Sequence, residues 1–220
     1  MNIVLTDVLS ADDIDRIKEL IASQRFVDGR ATSVLTAKKN LQLPVDSRAA
    51  REAGDLVCAR LQSHETFNLA VHPFLVHPPL FSLYEPGMEY PDHVDAALMG
   101  GLRTDVAVTL FLSERSTYDG GELVVDTGNG IRRYALEAGD AIAYPASTIH
   151  HVAEVTRGAR LAAVLWVQST VRDPAKREVL YNLAVAMRNL ADTACGPRLN
   201  RSYWNLLRLW AETAAGPTAA

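Results

Sequence analysis

The chain has 220 residues, 48% hydrophobic and 22% charged, with a net charge of −4, which suits one globular domain with a smaller appendage and a sizeable apolar core. A sequence pI near 5.9 and scattered Lys and Arg leave no basic footprint for nucleic acid, and no apolar run approaches the ~20 residues of a membrane span. Cys58 and Cys195 fall in neither a Cys-x-x-Cys nor a zinc-ribbon spacing, and Met1–Asp7 lacks the charged and apolar regions of a secretory signal, so two free thiols and a cytoplasmic setting are expected.

In chain order, the N-terminal third reads as helical packing material. Ser10-Ala11-Asp12-Asp13 has the form of a capping box and leads into Ile14, Ile17, Leu20 and Ile21, an apolar stripe at helical spacing. A second helix is expected from Asp46-Ser47 through Ala50, Ala53, Leu56, Val57 and Leu61. Lys38-Lys39 and, further on, Arg132-Arg133 read as solvated surface. From Phe74 to Ser169 the texture changes to short strands: Leu102–Leu112, Glu122–Val125 and Ala159–Gln168. They are broken by Asp119-Gly120-Gly121, Asp126–Gly130 and Gly139-Asp140, which have hairpin and turn chemistry.

After Asp173-Pro174 the helical pattern returns through Leu180, Leu183, Ala184 and Met187. Cys195-Gly196-Pro197 reads as its break, and Asn200 as the cap of a last helix carrying Trp204, Leu207 and Trp210, with both tryptophans in the core. The tail Gly216–Ala220 is expected to fray. Many short strands with regular turns predict a mainly β core with flanking helices (α+β), of the jelly-roll type. The expected division is 1–170 for the jelly-roll domain with its N-terminal helices packed on the sheet, and 171–220 for a helical C-terminal extension.

The chemistry centres on His93-Val94-Asp95, followed by His150 and Arg160. In a strand, residues i and i+2 face the same side, so His93 and Asp95 can meet one metal. His150 follows a strand-like stretch that ends in the polar loop Pro145-Ala146-Ser147. Two imidazoles and one carboxylate form the facial triad of non-haem Fe(II) oxygenases, which leaves positions open for substrate and O₂. The planar fork of Arg160 suits a carboxylate held by two parallel hydrogen bonds. His151 is the rival of His150, and adjacent strand residues face opposite ways, so one of the two should reach the metal. Trp166 reads as core rather than site.

The stretch Tyr84-Glu85-Pro86-Gly87-Met88-Glu89-Tyr90-Pro91-Asp92-His93-Val94-Asp95 resembles the Tyr-x-x-Gly-Met-x-Tyr-x-x-His-x-Asp signature of the PKHD-type hydroxylases, bacterial Fe(II)/2-oxoglutarate dioxygenases of the prolyl-4-hydroxylase-like group. Further similar segments are Arg103–Ser113, Tyr118–Leu123, Tyr144–His150 and Val155–Arg160, so the resemblance covers nearly the whole chain. It implies that His93, Asp95 and His150 bind iron and are catalytic, that Arg160 binds the distal carboxylate of 2-oxoglutarate, and that Tyr84 reaches the co-substrate. It favours His150 over His151.

It also implies Fe(II), 2-oxoglutarate and O₂ as cofactors, with ascorbate (vitamin C) as reductant, and hydroxylation of a C–H bond in a small molecule or peptide with release of succinate and CO₂. No nucleic-acid or membrane partner is expected; a homodimer through the helical C-terminus is. The rival readings are a cupin-like metal enzyme (isomerase or hydrolase) and a non-catalytic iron/2-oxoglutarate sensor. One departure from the family pattern follows Gly29-Arg30-Ala31-Thr32, where the small-residue segment around 33–38 is shorter and the next run reads Lys38-Lys39-Asn40-Leu41-Gln42-Leu43. Substrate choice is expected to differ if that loop lines the entrance.

Overall fold

The computed structural model describes residues 1–32 and 38–212; the segment 33–37 and the tail Gly216–Ala220 lie outside the described residues. Among the described residues five α-helices flank antiparallel sheets. Helix α1 (Ala11–Ala22) opens as its sequence dictates. Ser10 Oγ accepts from the Asp13 amide, the Asp13 carboxylate accepts from the Ser10 amide, and Ile14, Ile17 and Ile21 are buried. Ser47 caps α2 (Arg48–Ser63). Arg60 of α2 donates to both carboxylate oxygens of Asp13, at 3.0 and 2.8 Å, and joins the two helices. A third helix, α3 (Glu65–Val71), has no counterpart in the sequence reading, being too short to show a repeating stripe.

The main sheet runs in the order Ile3–Leu5, Ala141–Pro145, Val106–Phe111, Arg160–Ser169, Leu80–Tyr84, Leu41–Gln42 and Val27–Asp28, with Pro73–Val76 also paired to Arg160–Ser169. Three of these strands come from the N-terminal third, so that region is more than helical packing. Each is only two or three residues long, below the length at which alternation shows in a sequence. The second sheet runs Ile131–Tyr134, Leu123–Asp126, His150–Val152 and Tyr90–His93.

Alternation divides the main sheet into two faces. Val106, Val108, Leu110, Ala163, Leu165 and Val167 join Ile17, Val57, Leu61 and Phe67 in one core beneath the helices. Their neighbours Ala107, Phe111, Tyr84, Ile142, Tyr144 and Trp166 point the other way and pack with Leu123, Val125 and Val152 of the second sheet. Each fully buried Leu, Val or Phe here contributes about 1.5–3 kcal/mol. The two layers are thereby fixed, and the space between them is the one that holds the polar residues described below.

Asp173 caps α4 (Pro174–Asn189), with Pro174 in the first turn. The last helix, α5 (Gly196–Trp210), starts before Asn200, contrary to the sequence reading. Cys195-Gly196-Pro197 is its beginning, because a first turn leaves the proline's missing N–H without consequence. Gly196 sits so close to the end of the preceding turn that a Cβ would lie 2.4 Å from the Ala191 carbonyl oxygen. Val171, Leu180, Ala184 and Tyr203 form the core of this part, with Trp210 packed on it. Trp204 is 49% exposed and does not belong to that core. Cys58 and Cys195 are both free, as expected.

Candidate metal centre and its cavity

His93 and His150 lie directly opposite each other on antiparallel strands, so their side chains leave the sheet on one face. Asp95 is two residues beyond His93, and its amide donates to the Ala146 carbonyl at 3.2 Å. The ligand atoms of His93, Asp95 and His150 fall within 4.8 Å of one another. Asp95 Oδ1 is 4.0 Å from His93 Nε2 and 3.8 Å from His150 Nε2.

Each imidazole is oriented from behind. His93 Nδ1 lies 2.8 Å from the Pro91 carbonyl oxygen and His150 Nδ1 2.9 Å from that of Thr148. A carbonyl can only accept, so both Nδ1 atoms carry the proton and both Nε2 lone pairs face the centre. Tyr90 stacks on His93 with centroids 3.7 Å apart, and Tyr144 meets His150 edge-on at 5.0 Å.

Burial holds both histidines below their ordinary pKa, which keeps the imidazoles neutral and able to donate a lone pair. Burial also raises the Asp95 carboxyl, against which the nearby Trp166 indole and His93 act. Asp95 Oδ2 is buried without a hydrogen-bond partner. Two neutral imidazole nitrogens and an unsatisfied carboxylate fit a divalent metal, which would supply the charge this cluster lacks. His151, by contrast, pairs with Asp92 at 2.6 Å on the exposed side of the strand.

Arg160 stands at the start of its strand, opposite Tyr84. It is 1% exposed, yet Nε and Nη2 have no hydrogen-bond partner among the described residues. Its guanidinium lies over the rings of Tyr84 (5.4 Å) and Phe111 (5.1 Å), and its strongest electrostatic neighbours are the tyrosines 84, 118 and 144 rather than any carboxylate. An arginine stays protonated even so. A buried cation without an anion costs several kcal/mol, so the position calls for an anionic ligand. Room for it comes from Gly121 (φ +66), where a Cβ would stand 2.9 Å from Arg160 Cδ and 2.9 Å from Val155 Cγ2.

A cavity of about 490 Å³ connects these groups. Its walls include His93, Asp95, His150, Arg160 and Tyr84, so the structure brings together every site residue expected from the sequence. No residue of α4 or α5 lines it. Burial pushes the Tyr84 phenol up to about 12, so it is a neutral hydrogen-bonding group there.

Trp166 belongs to the apolar core, as expected, and it also lines the cavity, because it shares a face of its strand with Arg160 and Val164. One expectation is corrected. Lys38 is not solvated surface: it is 4% exposed and lines the cavity, while Lys39 is exposed and reaches Glu89 at 3.4 Å. The signal for Lys38 was its i, i+2, i+4 register with Asn40 and Gln42, which an adjacent pair of lysines hides.

Comparison with known proteins agrees with this geometry. Residues 79–168 match the model of the 2OG-Fe(II) oxygenase superfamily. A solved prolyl hydroxylase from Trichoplax adhaerens, in complex with a hypoxia inducible factor peptide fragment, superimposes with a TM-score of 0.58 at 17% identity, covering 81% of this chain and 86% of that one. A Pseudomonas putida prolyl-4-hydroxylase gives 0.53 at 18% identity, covering 76% of this chain and 92% of that one. Family model and neighbours thus give the chain the fold of the 2OG-Fe(II) oxygenases.

A PKHD-type hydroxylase of Acaryochloris marina is 44% identical over 219 residues, covering 96% of this chain and all of the relative. One of Burkholderia ambifaria is 43% identical over 227 residues, covering 97% of this chain and again the whole relative. The chain belongs to the PKHD-type hydroxylase family.

Proposed function

We propose that His93, Asp95 and His150 hold Fe(II), that Arg160 with Tyr84 seats the distal carboxylate of 2-oxoglutarate, and that the enzyme hydroxylates a C–H bond of a small molecule or peptide. One observation carries this reading: a two-imidazole, one-carboxylate cluster and a buried arginine without an anion share one cavity. When bound, Fe(II) with 2-oxoglutarate and O₂ supplies the oxidant, at the expense of decarboxylating the co-substrate to succinate and CO₂.

The chain's own residues position and protect. The carbonyls of Pro91 and Thr148 lock the imidazole tautomers, so His93 and His150 present Nε2 without a competing proton. The guanidinium of Arg160 takes one end of the co-substrate and sets its orientation, because a bidentate fork fixes direction as well as charge. Tyr84, Tyr144 and Trp166 wall the cavity with rings and keep bulk water from the reacting centre. A cupin-like isomerase or hydrolase would have no use for the Arg160 cradle.

Supporting observations extend the reading. The two facing sheets, within 1–170, are read as a jelly roll, and 171–220 as a helical extension with its own core. The exposed Trp204 and Leu209 on α5 support a homodimer formed there. Free thiols support work in the cytoplasm, and the net charge of −4 supports a partner other than nucleic acid. No helix is long and apolar enough to cross a membrane among the described residues. Ascorbate is proposed as the reductant that returns oxidised iron to Fe(II).

The test is Fe(II)-dependent release of succinate from 2-oxoglutarate by the purified protein. Wild type should release it slowly even without primary substrate, and His150→Ala should not. Arg160→Ala should need roughly 10- to 100-fold more 2-oxoglutarate, the size of a charged hydrogen-bond pair. Wild-type protein that binds both iron and 2-oxoglutarate yet releases no succinate with any candidate substrate would instead be a sensor.

A further inference from the structure

We propose that Lys38 anchors the carboxylate of a small acidic primary substrate in the same cavity; this rests on the metal and co-substrate reading above. The side-chain register makes the case first. Lys39 bridges to Glu89 and points to solvent, so Lys38 and Asn40 on either side of it point inward, and Gln42 follows them. All three line the cavity, together with Thr32, Tyr90 and His93.

The Lys38 ammonium donates to Thr32 Oγ1 at 2.6 Å and lies 5.4 Å from the Tyr90 ring centroid. No carboxylate pairs with it among the described residues, and the neighbouring sequence Ser33-Val34-Leu35-Thr36-Ala37 contains none. Neither amide atom of Asn40 completes a hydrogen bond, although both are buried. Gly29 leaves the space that amide fills, since a Cβ there would stand 2.0 Å from Asn40 Oδ1. The wall therefore offers a cation without an anionic partner and, beside the Tyr84 hydroxyl, a buried amide.

Charge bookkeeping points the same way. The ionisable lining residues at neutral pH are the cations Lys38 and Arg160 and the anion Asp95. A divalent metal adds two positive charges and the 2-oxoglutarate dianion removes two. One positive charge is left over, and an uncompensated charge in a low-dielectric cavity favours an anionic partner. Burial pulls Lys38 down to about 8, so most of it is charged at neutral pH. Arg160 is occupied by the co-substrate, so the anion Lys38 receives belongs to the second substrate. The cavity of about 490 Å³ admits a small carboxylic acid beside 2-oxoglutarate.

The test uses full-length protein loaded with Zn(II) in place of Fe(II), saturated with 2-oxoglutarate, and labelled with ¹³C at lysine Cε. The chain has lysines only at 18, 38, 39 and 176, and the Lys38 signal is identified by a midpoint that burial lowers to about 8. Propionate is added to one sample, propionamide to a second and the blocked peptide acetyl-Gly-Asp-Gly-amide to a third. The expected result is a saturable shift of the Lys38 signal with propionate alone. In calorimetry on the same Zn(II)- and 2-oxoglutarate-loaded protein, propionate binding should be lost in Lys38→Met and kept in Lys38→Arg, with 2-oxoglutarate affinity in both within about twofold of wild type.

Equal responses to propionate and propionamide, no response to either, or a response to the peptide alone would overturn the proposal. So would a tenfold loss of 2-oxoglutarate affinity in Lys38→Met, which would assign the lysine to the co-substrate. The wild-type comparison needs no variant and stands if Lys38→Met fails to fold. Wild type that binds no 2-oxoglutarate would count against the metal and co-substrate reading itself; binding without a propionate response counts against Lys38 alone.

Discussion

Gly121 stands where any side chain would press on Arg160, and it adopts a left-handed backbone (φ +66) that an L-residue resists. Gly121→Ala therefore acts twice. The backbone term costs roughly 1–2 kcal/mol, and the added methyl displaces the guanidinium from its rings. The expected outcome is a modest fall in urea midpoint together with at least ~10-fold weaker 2-oxoglutarate binding in calorimetry; unchanged affinity would show that Arg160 does not depend on this space. His150 and His151 illustrate the same dependence on a single position. They are adjacent, yet one lies 3.8 Å from Asp95 and the other faces outward to Asp92. Strand alternation required that only one enter the cavity, but it could not say which, and that choice came from the resemblance.

Helix α3 ends at His72, whose backbone is left-handed (φ 47) and whose ring is buried near Tyr203. Burial, with Arg177 nearby, lowers its pKa from 6.5 to about 4. The unfolded chain therefore takes up this proton first as pH falls. The stabilisation is complete above about pH 6.5 and is lost progressively toward pH 4, up to roughly 3 kcal/mol in all. In the metal-free protein, His72→Asn, which tolerates the left-handed backbone, should flatten that part of the fall in urea-unfolding stability between pH 6.5 and 4; a parallel fall in both proteins would refute it. At this scale the sequence was readable wherever a pattern ran long enough. The capping box at Ser10, the Ser47 cap and the Asp173-Pro174 start each predict the helix that forms. The strands Val27–Asp28 and Leu41–Gln42 offered two residues each, too few for periodicity, and hid the placement of Lys38. The start of α5 was misread because Gly-Pro marks both helix ends and helix first turns.

Across the whole molecule, the proposed metal ligands and the arginine come from different layers. His93, Asp95 and His150 belong to the second sheet and the loop after it, whereas Arg160, Tyr84 and Trp166 belong to the main sheet. Only the packing of one sheet on the other brings Arg160 into one cavity with His93, Asp95 and His150, so the cavity is a property of the assembled fold rather than of any motif. The sequence named the four residues but carried no measure of the space between them. That joint arrangement is tested most directly by titrating oxygen-free, metal-free protein with Fe(II) and then 2-oxoglutarate while following the visible charge-transfer absorption of a 2-oxo acid chelated to Fe(II). Expected are a saturable band in wild type and in His151→Ala, none in His150→Ala, and a band in Arg160→Ala that needs about 10-fold or more 2-oxoglutarate. Wild type that binds Fe(II) without ever developing the band, or a band that survives in His150→Ala and vanishes in His151→Ala, would contradict the assignment of this cavity.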